Sequence, residues 1–308
     1  MITASAPGKV ILFGEHAMVF GELGIATAIE KRAYVTVCEL EDSKIVVESK
    51  NIDHSIELLS SQKPQDPITK AARLALAKCG KQGQGLGIEI NSEIPQSSGL
   101  GASAAICTAT AAAIIQFFKG EVDIMNVAEI AYEAEKTIHT NPTGVETAIT
   151  TVGGTIAFQR GKVEAMKTEP LSLVVGNTGL ATNPEMMIKK VKTHIEDPRM
   201  GCTLFSIGGL VKQAKDAILH NNFSQIGVLM DKNHAHLRNL GVSSPELEAL
   251  VKMAKDAGSP GAKLTGFGGG GSMIALSRDQ DNLVKSMKHG NYKVFKTMTN
   301  EQGVRIEE

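Results

Sequence analysis

A run of small residues at 95–105, Pro-Gln-Ser-Ser-Gly-Leu-Gly-Ala-Ser-Ala-Ala, has the composition of an anion-binding loop. Residues 85–91 before it alternate between apolar and polar and predict a strand, and the alanine-rich run at 104–118 after it predicts a helix. The first backbone N–H groups of such a helix have no partner within the helix, and the dipole adds about half a positive charge there. Glycines let the backbone approach a phosphate, and serine hydroxyls can reach phosphate oxygens or a metal ion. The alternative is a tight turn whose small residues serve packing only.

Two further stretches carry residue types that suit phosphate chemistry. Residues 263–272 form a second glycine-rich stretch, and Lys9, Glu15 and His16 lie at the two ends of a short apolar, strand-like segment near the amino terminus. These three polar side chains also fit the alternative of ordinary surface residues. Neither glycine-rich stretch has the spacing of a P-loop, and residues 99–104 lack the last glycine of the dinucleotide-binding fingerprint. A different nucleotide-phosphate fold is therefore favoured.

The elements that must position these residues are predicted from hydrophobic spacing. Short strands are expected at 2–5, 10–13, 23–29 and 33–40, and the last helix of the chain is expected at 280–289. Asn183 and Ser244, each followed by a proline, are expected to cap the starts of two further helices. The second half of the sequence follows the order strand, helices, two strands, helix, strand, which is typical of an α+β layer with helices packed on one sheet.

The segment around Glu135 and Glu146 places two carboxylates on either side of a helix break. Apolar residues spaced by three and four predict a helix over 121–139, and Glu135 lies beside its apolar stripe. A helix glutamate is by default a surface residue, but this position allows it to be drawn partly inward. The breaker cluster 140–144 then precedes Glu146. Further along, the polar stretch 161–170 predicts a domain boundary.

Composition excludes several classes of function. The 308 residues carry a formal net charge of −1, 42% hydrophobic residues and no tryptophan, which argues against a nucleic-acid surface, a polybasic membrane patch and a base-stacking platform. The four cysteines are far apart without a Cys-x-x-Cys pair, so reduced thiols fit better than structural zinc or disulfides. No signal peptide or membrane-spanning run is visible. We expect a soluble, cytoplasmic protein that has no nucleic-acid or membrane partner.

Three motifs together resemble those of the GHMP kinase superfamily. Residues 6–17 resemble its first motif, residues 95–105 its second, the phosphate loop, and residues 263–272 its third, in the expected order over nearly the whole chain. The resemblance implies an α+β, two-domain GHMP kinase fold. A ribosomal-protein-S5-like βα domain that binds ATP is expected at 1–165, and a ferredoxin-like α+β domain at 166–308.

Within the superfamily, residues 135–147 and 240–244 are most similar to the mevalonate kinase family. This resemblance implies transfer of the ATP γ-phosphoryl group to the 5-hydroxyl of mevalonate, a step in isoprenoid precursor biosynthesis, in a homodimer. The same fold also serves kinases with another acceptor, such as the mevalonate 3-hydroxyl, phosphomevalonate or a sugar. A non-catalytic GHMP-fold protein that only binds ligand is a further alternative, against which the intact Lys9, Ser103 and Glu135 argue.

The resemblance also implies roles for individual residues. Ser103 and Glu135 match the family's Mg²⁺ ligands, and hydroxyl and carboxylate oxygens are donors that this ion prefers. Lys9 matches the lysine near the transferring phosphoryl group and the acceptor hydroxyl, and Glu146 occupies the place of the catalytic base. The positions expected near the substrate are Lys9, Glu15, His16, Thr143 and Gly268. The residues expected to cradle the triphosphate of ATP are Pro95, Ser97, Ser98, Gly99, Leu100, Gly101, Ala102 and Ser103.

Four positions depart from the family pattern. Glu146 stands where the family has aspartate, and the extra methylene displaces the carboxylate by about an ångström unless the backbone shifts, which can cost roughly a hundredfold in rate. The alternative to Glu146 as the base is that Lys9 and the metal carry the reaction alone. Ala102 replaces a serine, Phe267 an alanine and Ser272 a cysteine. Phe267 either narrows the site or packs beneath the loop, and packing is the favoured interpretation.

Overall fold

The computed structural model describes residues 1–50, 54–59, 66–138, 142–288 and 292–308. His139, Thr140 and Asn141, within the segment that resembles mevalonate kinases, lie outside the described residues, as does His289 at the end of the last predicted helix.

The described residues form two mixed α/β layers. The strands are β1 Ile2–Phe13, β2 Gly24–Leu40, β3 Lys44–Ser49, β4 His54–Leu59, β5 Gly85–Ser92, β6 Thr155–Gln159, β7 Lys162–Met166, β8 Ser172–Asn177, β9 Ala262–Thr265, β10 Ser272–Leu276, β11 Lys293–Met298 and β12 Arg305–Glu307. The helices are α1 Pro67–Lys78, α2 Ala102–Lys119, α3 Ile124–Glu135, α4 Val145–Val152, α5 Pro184–His194, α6 Pro198–Leu219, α7 Phe223–Asn239, α8 Pro245–Asp256 and α9 Gln280–Met287, and a 3₁₀ turn spans Ala17–Phe20.

The first sheet has the order β12-β1-β2-β5-β3-β4, and the β6–β7 hairpin pairs with β2. The four short strands expected at 2–5, 10–13, 23–29 and 33–40 are two long ones, β1 and β2, which pair antiparallel over almost their whole length. The separate strands were wrong because Pro7 is accommodated by a shift in register between Pro7 and Gly8, opposite Arg32. Strand β1 is therefore one continuous element that contains Lys9 and leads directly into the turn at Glu15.

Helix α2 is the core of the first layer. It packs against β1, β2, α1, α3 and α4, and its alanines allow close approach of these neighbours. Among the described residues it is the one helix with the length and hydropathy to cross a membrane, and 67% of that span is buried within the fold. Cys107 on this helix is buried, and all four cysteines are free.

The second sheet has the order β11-β8-β10-β9, and its elements follow the predicted order of strand, helices, two strands, helix and strand. The helix caps are formed as the sequence predicts: Asn183 Oδ1 accepts from the N–H of Met186, with a proline at the first helical position. Strand β7, which reaches Met166, was not predicted and belongs to the first sheet. A boundary between 165 and 166 stays a proposal.

The two layers meet along β1 and β9. The backbone N–H of Ile11 donates to Thr265 Oγ1 at 2.9 Å, and the Thr265 hydroxyl donates to the Ile11 carbonyl at 3.1 Å. This reciprocal pair brings the end of β1, the phosphate loop and the third motif to one place.

Candidate active site

The phosphate loop ends on the open N-terminus of α2. Ser97, Gly99 and Gly101 have φ values of 50°, 75° and 79°, the left-handed region that favours glycine. Ser98 folds back, donating to the carbonyl of Pro95 at 2.5 Å. Gly101 is the N-cap and no described side chain caps α2, so its first N–H groups remain for an anion.

Lys9 crosses this helix start. Its N–H donates to the carbonyl of Leu100 at 2.9 Å, and a Cβ at Gly101 would lie 2.9 Å from Lys9 Cγ. The lysine side chain is 3% exposed, and its Nζ lies 3.2 Å from Glu146 Oε1. Gly101 therefore makes room for the stem of a buried lysine that links the phosphate loop to a carboxylate.

Glu146 is in the first turn of α4, where the helix dipole stabilises a negative charge. One carboxylate oxygen contacts Lys9, and the other accepts from the Thr143 hydroxyl at 3.3 Å. The side chain is 23% exposed. Lys9 and Thr143 thus hold the Glu146 carboxylate despite its extra methylene. Lys9 is also the lysine that the family resemblance predicts near the transferring phosphoryl group.

Ser103 and Glu135 lie together at the start of α2 and the end of α3. The Ser103 hydroxyl donates to Glu135 Oε1 at 2.6 Å. Glu135 is 4% exposed, so this glutamate faces inward, as its place beside the apolar stripe allowed. The described residues hold no cluster of three or more His, Cys, Asp or Glu side chains that could bind a metal. A hydroxyl and a buried carboxylate at a phosphate loop nevertheless suit Mg²⁺, which retains water and phosphate oxygens as its other ligands.

The turn after β1 buries Glu15 and His16. His16 has a φ of 59°, and its Nε2 donates to the carbonyl of Phe267 at 2.9 Å. Burial lowers the pKa of His16, so the neutral ring leaves Nδ1 as an acceptor. Glu15 pairs through Oε1 with Lys263, and burial raises the pKa of Glu15 while Lys263 opposes that rise. Among the described residues, neither His16 Nδ1 nor Glu15 Oε2 has a hydrogen-bond partner, although both are buried.

These side chains surround one narrow pocket. Its polar walls are Glu15, His16, Thr143 and Glu146, all predicted from the sequence as site residues. The remaining lining residues are Ile11, Met18, Val19, Val145, Gly266 and Phe267. The pocket therefore offers hydrogen-bond acceptors and a carboxylate beside an apolar wall, and it is linked to the phosphate loop through the contact of Glu146 with Lys9.

The comparisons with known proteins give this site a family. The family described as GHMP kinases N terminal domain matches residues 66–154, and GHMP kinases C terminal matches residues 214–291. The chain is 33% identical over 329 residues to the mevalonate kinase of Thermococcus sibiricus, covering 100% of this chain and 98% of that protein. The chain belongs to the mevalonate kinase family of GHMP kinases. The mevalonate kinase of Pyrococcus furiosus is 32% identical over 335 residues, with the same coverage of each chain.

Solved structures of mevalonate kinases share the fold over nearly its whole length. The Methanococcus jannaschii mevalonate kinase superposes with a TM-score of 0.87 at 25% identity, covering 97% of this chain and 98% of that one. The L. major mevalonate kinase in complex with R-mevalonate gives 0.83 at 26% identity, with 97% and 96% covered. The predicted α+β, two-domain GHMP fold is confirmed, and the protein is an ATP-dependent small-molecule kinase.

The third motif of this mevalonate kinase family member supports the site from behind. Gly268 has a φ of 74°, and a Cβ there would lie 2.1 Å from the carbonyl oxygen of Val242. A Cβ at Gly271 would lie 3.0 Å from the carbonyl oxygen of Ser98, so this loop packs against the phosphate loop. Gly268 is not among the pocket-lining residues, and its predicted contact with substrate stays a prediction.

The sequence did not reveal that Lys263 pairs with Glu15, and it favoured a different position for Phe267. Phe267 lines the pocket and its ring meets His16 edge-on, with centroids 5.9 Å apart, so it narrows the site rather than packing beneath the loop. Lys263 was assigned to a glycine-rich loop, but it lies in β9, where Lys263 and Thr265 share one face. A strand alternation of Ala-Lys-Leu-Thr at 262–265 was the available signal.

Proposed function

We propose that the protein transfers the γ-phosphoryl group of ATP to the 5-hydroxyl of mevalonate, with Lys9 and Glu146 at the reacting groups. The observation that carries the proposal is the contact of 3.2 Å between Lys9 and Glu146. It joins the phosphate loop to the pocket lined by Glu15, His16, Thr143 and Glu146, which we call the acceptor pocket. The full-length similarity to mevalonate kinases supports the choice of acceptor.

In this mechanism Glu146 accepts the proton of the acceptor hydroxyl. The hydroxyl oxygen forms a bond to the γ-phosphorus as the bond to the ADP oxygen breaks, and ADP leaves with that electron pair. The ammonium group of Lys9 stabilises negative charge on the transferring group and orients the carboxylate that it contacts. Because the transition state for phosphoryl transfer is loose, positioning by Thr143 and the phosphate loop contributes much of the rate.

The pocket matches an acceptor with more than one hydroxyl. Glu15 Oε2 and His16 Nδ1 are buried acceptors that need donors, and leaving a buried polar atom unpaired costs about 1–3 kcal/mol. Mevalonate carries hydroxyls at carbons 3 and 5, and the apolar side of the pocket, Ile11, Met18 and Val19, suits its methyl and methylene groups. The L. major relative was solved with R-mevalonate bound.

We also propose that Mg²⁺ is held by Ser103 and Glu135. Their oxygens lie 2.6 Å apart at the start of α2, where a buried carboxylate at a phosphate site gains a compensating cation. When bound, the ion would neutralise charge on the ATP phosphates. A cytoplasmic homodimer without nucleic-acid or membrane partners is proposed from the family resemblance and the net charge of −1.

The glutamate at 146 favours one rival, a kinase of the same fold that acts on a different hydroxyl. Incubation with ATP, Mg²⁺ and, separately, mevalonate, phosphomevalonate, galactose and homoserine tests both, with products identified by NMR. We expect mevalonate 5-phosphate. A product at the 3-hydroxyl, or no product from mevalonate, would refute the proposed function.

A further inference from the structure

Lys263 is a completely buried cation that the proposed mechanism does not use. It lies in β9, in the second sheet, whereas its ion-pair partner Glu15 follows β1 in the first sheet. The ammonium group also donates to the carbonyl of Leu264 at 2.7 Å. Removing water from a charge is costly, so a buried pair of this kind persists where both charges are held by partners.

The second layer also binds the residues on either side of Glu15. The N–H of Gly14 donates to Asn233 Oδ1 at 3.3 Å, and His16 donates to the carbonyl of Phe267 at 2.9 Å. Asn233 is on α7, and Phe267 follows β9. The polar groups of the first layer that line the acceptor pocket at this turn are therefore oriented from the second layer.

Only one oxygen of the Glu15 carboxylate is engaged by Lys263. Oε1 takes the ion pair, whereas Oε2 is buried, has no partner among the described residues, and belongs to a side chain that lines the acceptor pocket. We propose that Lys263 is a positioning residue for the phosphoryl acceptor: it holds the Glu15 carboxylate in one orientation through Oε1, so that Oε2 accepts a hydrogen bond from an acceptor hydroxyl. The identity of that acceptor rests on the proposed function.

The charges around Glu15 determine what removal of Lys263 does. Lys9 on β1 is the other cation that lowers the pKa of Glu15, and Lys263 is the larger influence of the two. His16 is neutral beside it, Glu146 on α4 lines the same pocket, and the neutral His234 on α7 lies behind Lys263. Without Lys263, burial is opposed by the backbone hydrogen bond at Glu15 and, to a smaller extent, by Lys9, so the Glu15 carboxyl takes up its proton at a higher pH.

Steady-state kinetics of Lys263→Met test the proposal. We expect the KM for mevalonate to rise at least about tenfold, as for loss of a hydrogen bond to a charged group, while the KM for ATP is unchanged. The acid limb of the kcat/KM profile for mevalonate moves to higher pH. The matched control is Lys296→Met on β11, which removes an exposed ion pair with Asp281 and should change neither constant. An unchanged KM for mevalonate in Lys263→Met overturns the proposal.

A double variant separates positioning from a purely structural role. If Lys263 acts through Glu15, Lys263→Met should not weaken mevalonate binding further in a Glu15→Gln background, and the double variant should be more stable than Lys263→Met alone because no unpaired charge remains. A further loss in the double variant overturns the proposal, and this comparison decides the matter even if Lys263→Met does not fold. If the wild-type protein fails on mevalonate, the proposed function falls, and the same variants are measured with the acceptor identified by the panel.

Discussion

Replacing Glu146 by glutamine tests the chemistry with little change of shape. The glutamine side chain has nearly the same volume, and its amide oxygen can still accept from Thr143, which lies 3.3 Å from the carboxylate. The ionic contact with Lys9 at 3.2 Å and the basic oxygen are both lost. Loss of a general base lowers kcat by about 10²- to 10⁴-fold. This corresponds to roughly 3 to 5 kcal/mol of transition-state stabilisation.

The assay is coupled measurement of ADP release at saturating mevalonate over a range of ATP concentrations, which gives both kcat and the KM for ATP. Because Glu146 lies at the acceptor rather than on the phosphate loop, we expect the KM for ATP to change far less than kcat. Glu164→Gln, which removes an exposed carboxylate paired with Lys215 at 2.8 Å, is the control and should keep wild-type kcat. A wild-type kcat in Glu146→Gln would show that this carboxylate is not the base and that Lys9 and the metal carry the reaction.

Three further predictions follow from the site and its surroundings. Glu135→Gln should raise the Mg²⁺ concentration needed for half-maximal activity at least about tenfold, because even the loss of an outer-shell partner costs about that much metal affinity. Titration of the rate with Mg²⁺ measures this change. Gly101→Ala should lower both Tm and kcat, because a Cβ at a φ of 79° lies 2.9 Å from Lys9 Cγ, and the backbone strain alone is about 1–3 kcal/mol. Stability should fall on acidification, since burial lowers the pKa of His234 to about 4, and denaturant unfolding at several pH values measures this.

Each of these three has a control or a contradicting outcome. Gly120→Ala at the other end of α2 has a φ of 77° and open space around its Cβ, so it should lower Tm and leave kcat unchanged. An unaltered Mg²⁺ requirement in Glu135→Gln would remove this residue from the metal site. The unfolded chain binds a proton at His234 below pH about 6.5 and the folded one only near 4, so stability is lost between these values, by about 2 kcal/mol at pH 5. A pH dependence unchanged in His234→Asn would contradict this assignment.

Local patterns in the sequence carried much of the fold. Helix α2 and the strand before it were predicted from an apolar run and from alternation, and the start of α5 from Asn183 and its following proline, because these signals depend on neighbouring residues only. The continuity of β1 and β2 was not predicted, since Pro7 and Arg32 look like interruptions. Arg32 is accommodated through long-range hydrogen bonds to the carbonyls of Gln302 and Gly303 at 2.8 and 2.7 Å, which no local pattern reveals.

The candidate site likewise contains residues that local motifs predict and contacts that only the folded structure shows. Lys9, Ser103 and Glu146 belong to short motifs, so the sequence alone was enough to predict them as site residues. The partner of Glu15 was not, because Lys263 is 248 residues away along the chain and approaches it only when the two sheets pack. Burial is also a tertiary property: spacing placed Glu135 beside an apolar stripe, but only the packing of α2 on α3 shows that it is 4% exposed.

The burial of α2 has a consequence for how nucleotide is received. Backbone amides in a helix enclosed by a sheet and three other helices exchange with solvent only through large unfolding events, so the α2 amides should be among the slowest to exchange in the molecule. An anion site mounted on such an element is already rigid before ligand arrives, and binding then loses little conformational entropy on that side. Gly99 and Gly101, whose φ values are positive, connect the phosphate loop to this rigid helix, so the loop is anchored at the end where the anion binds.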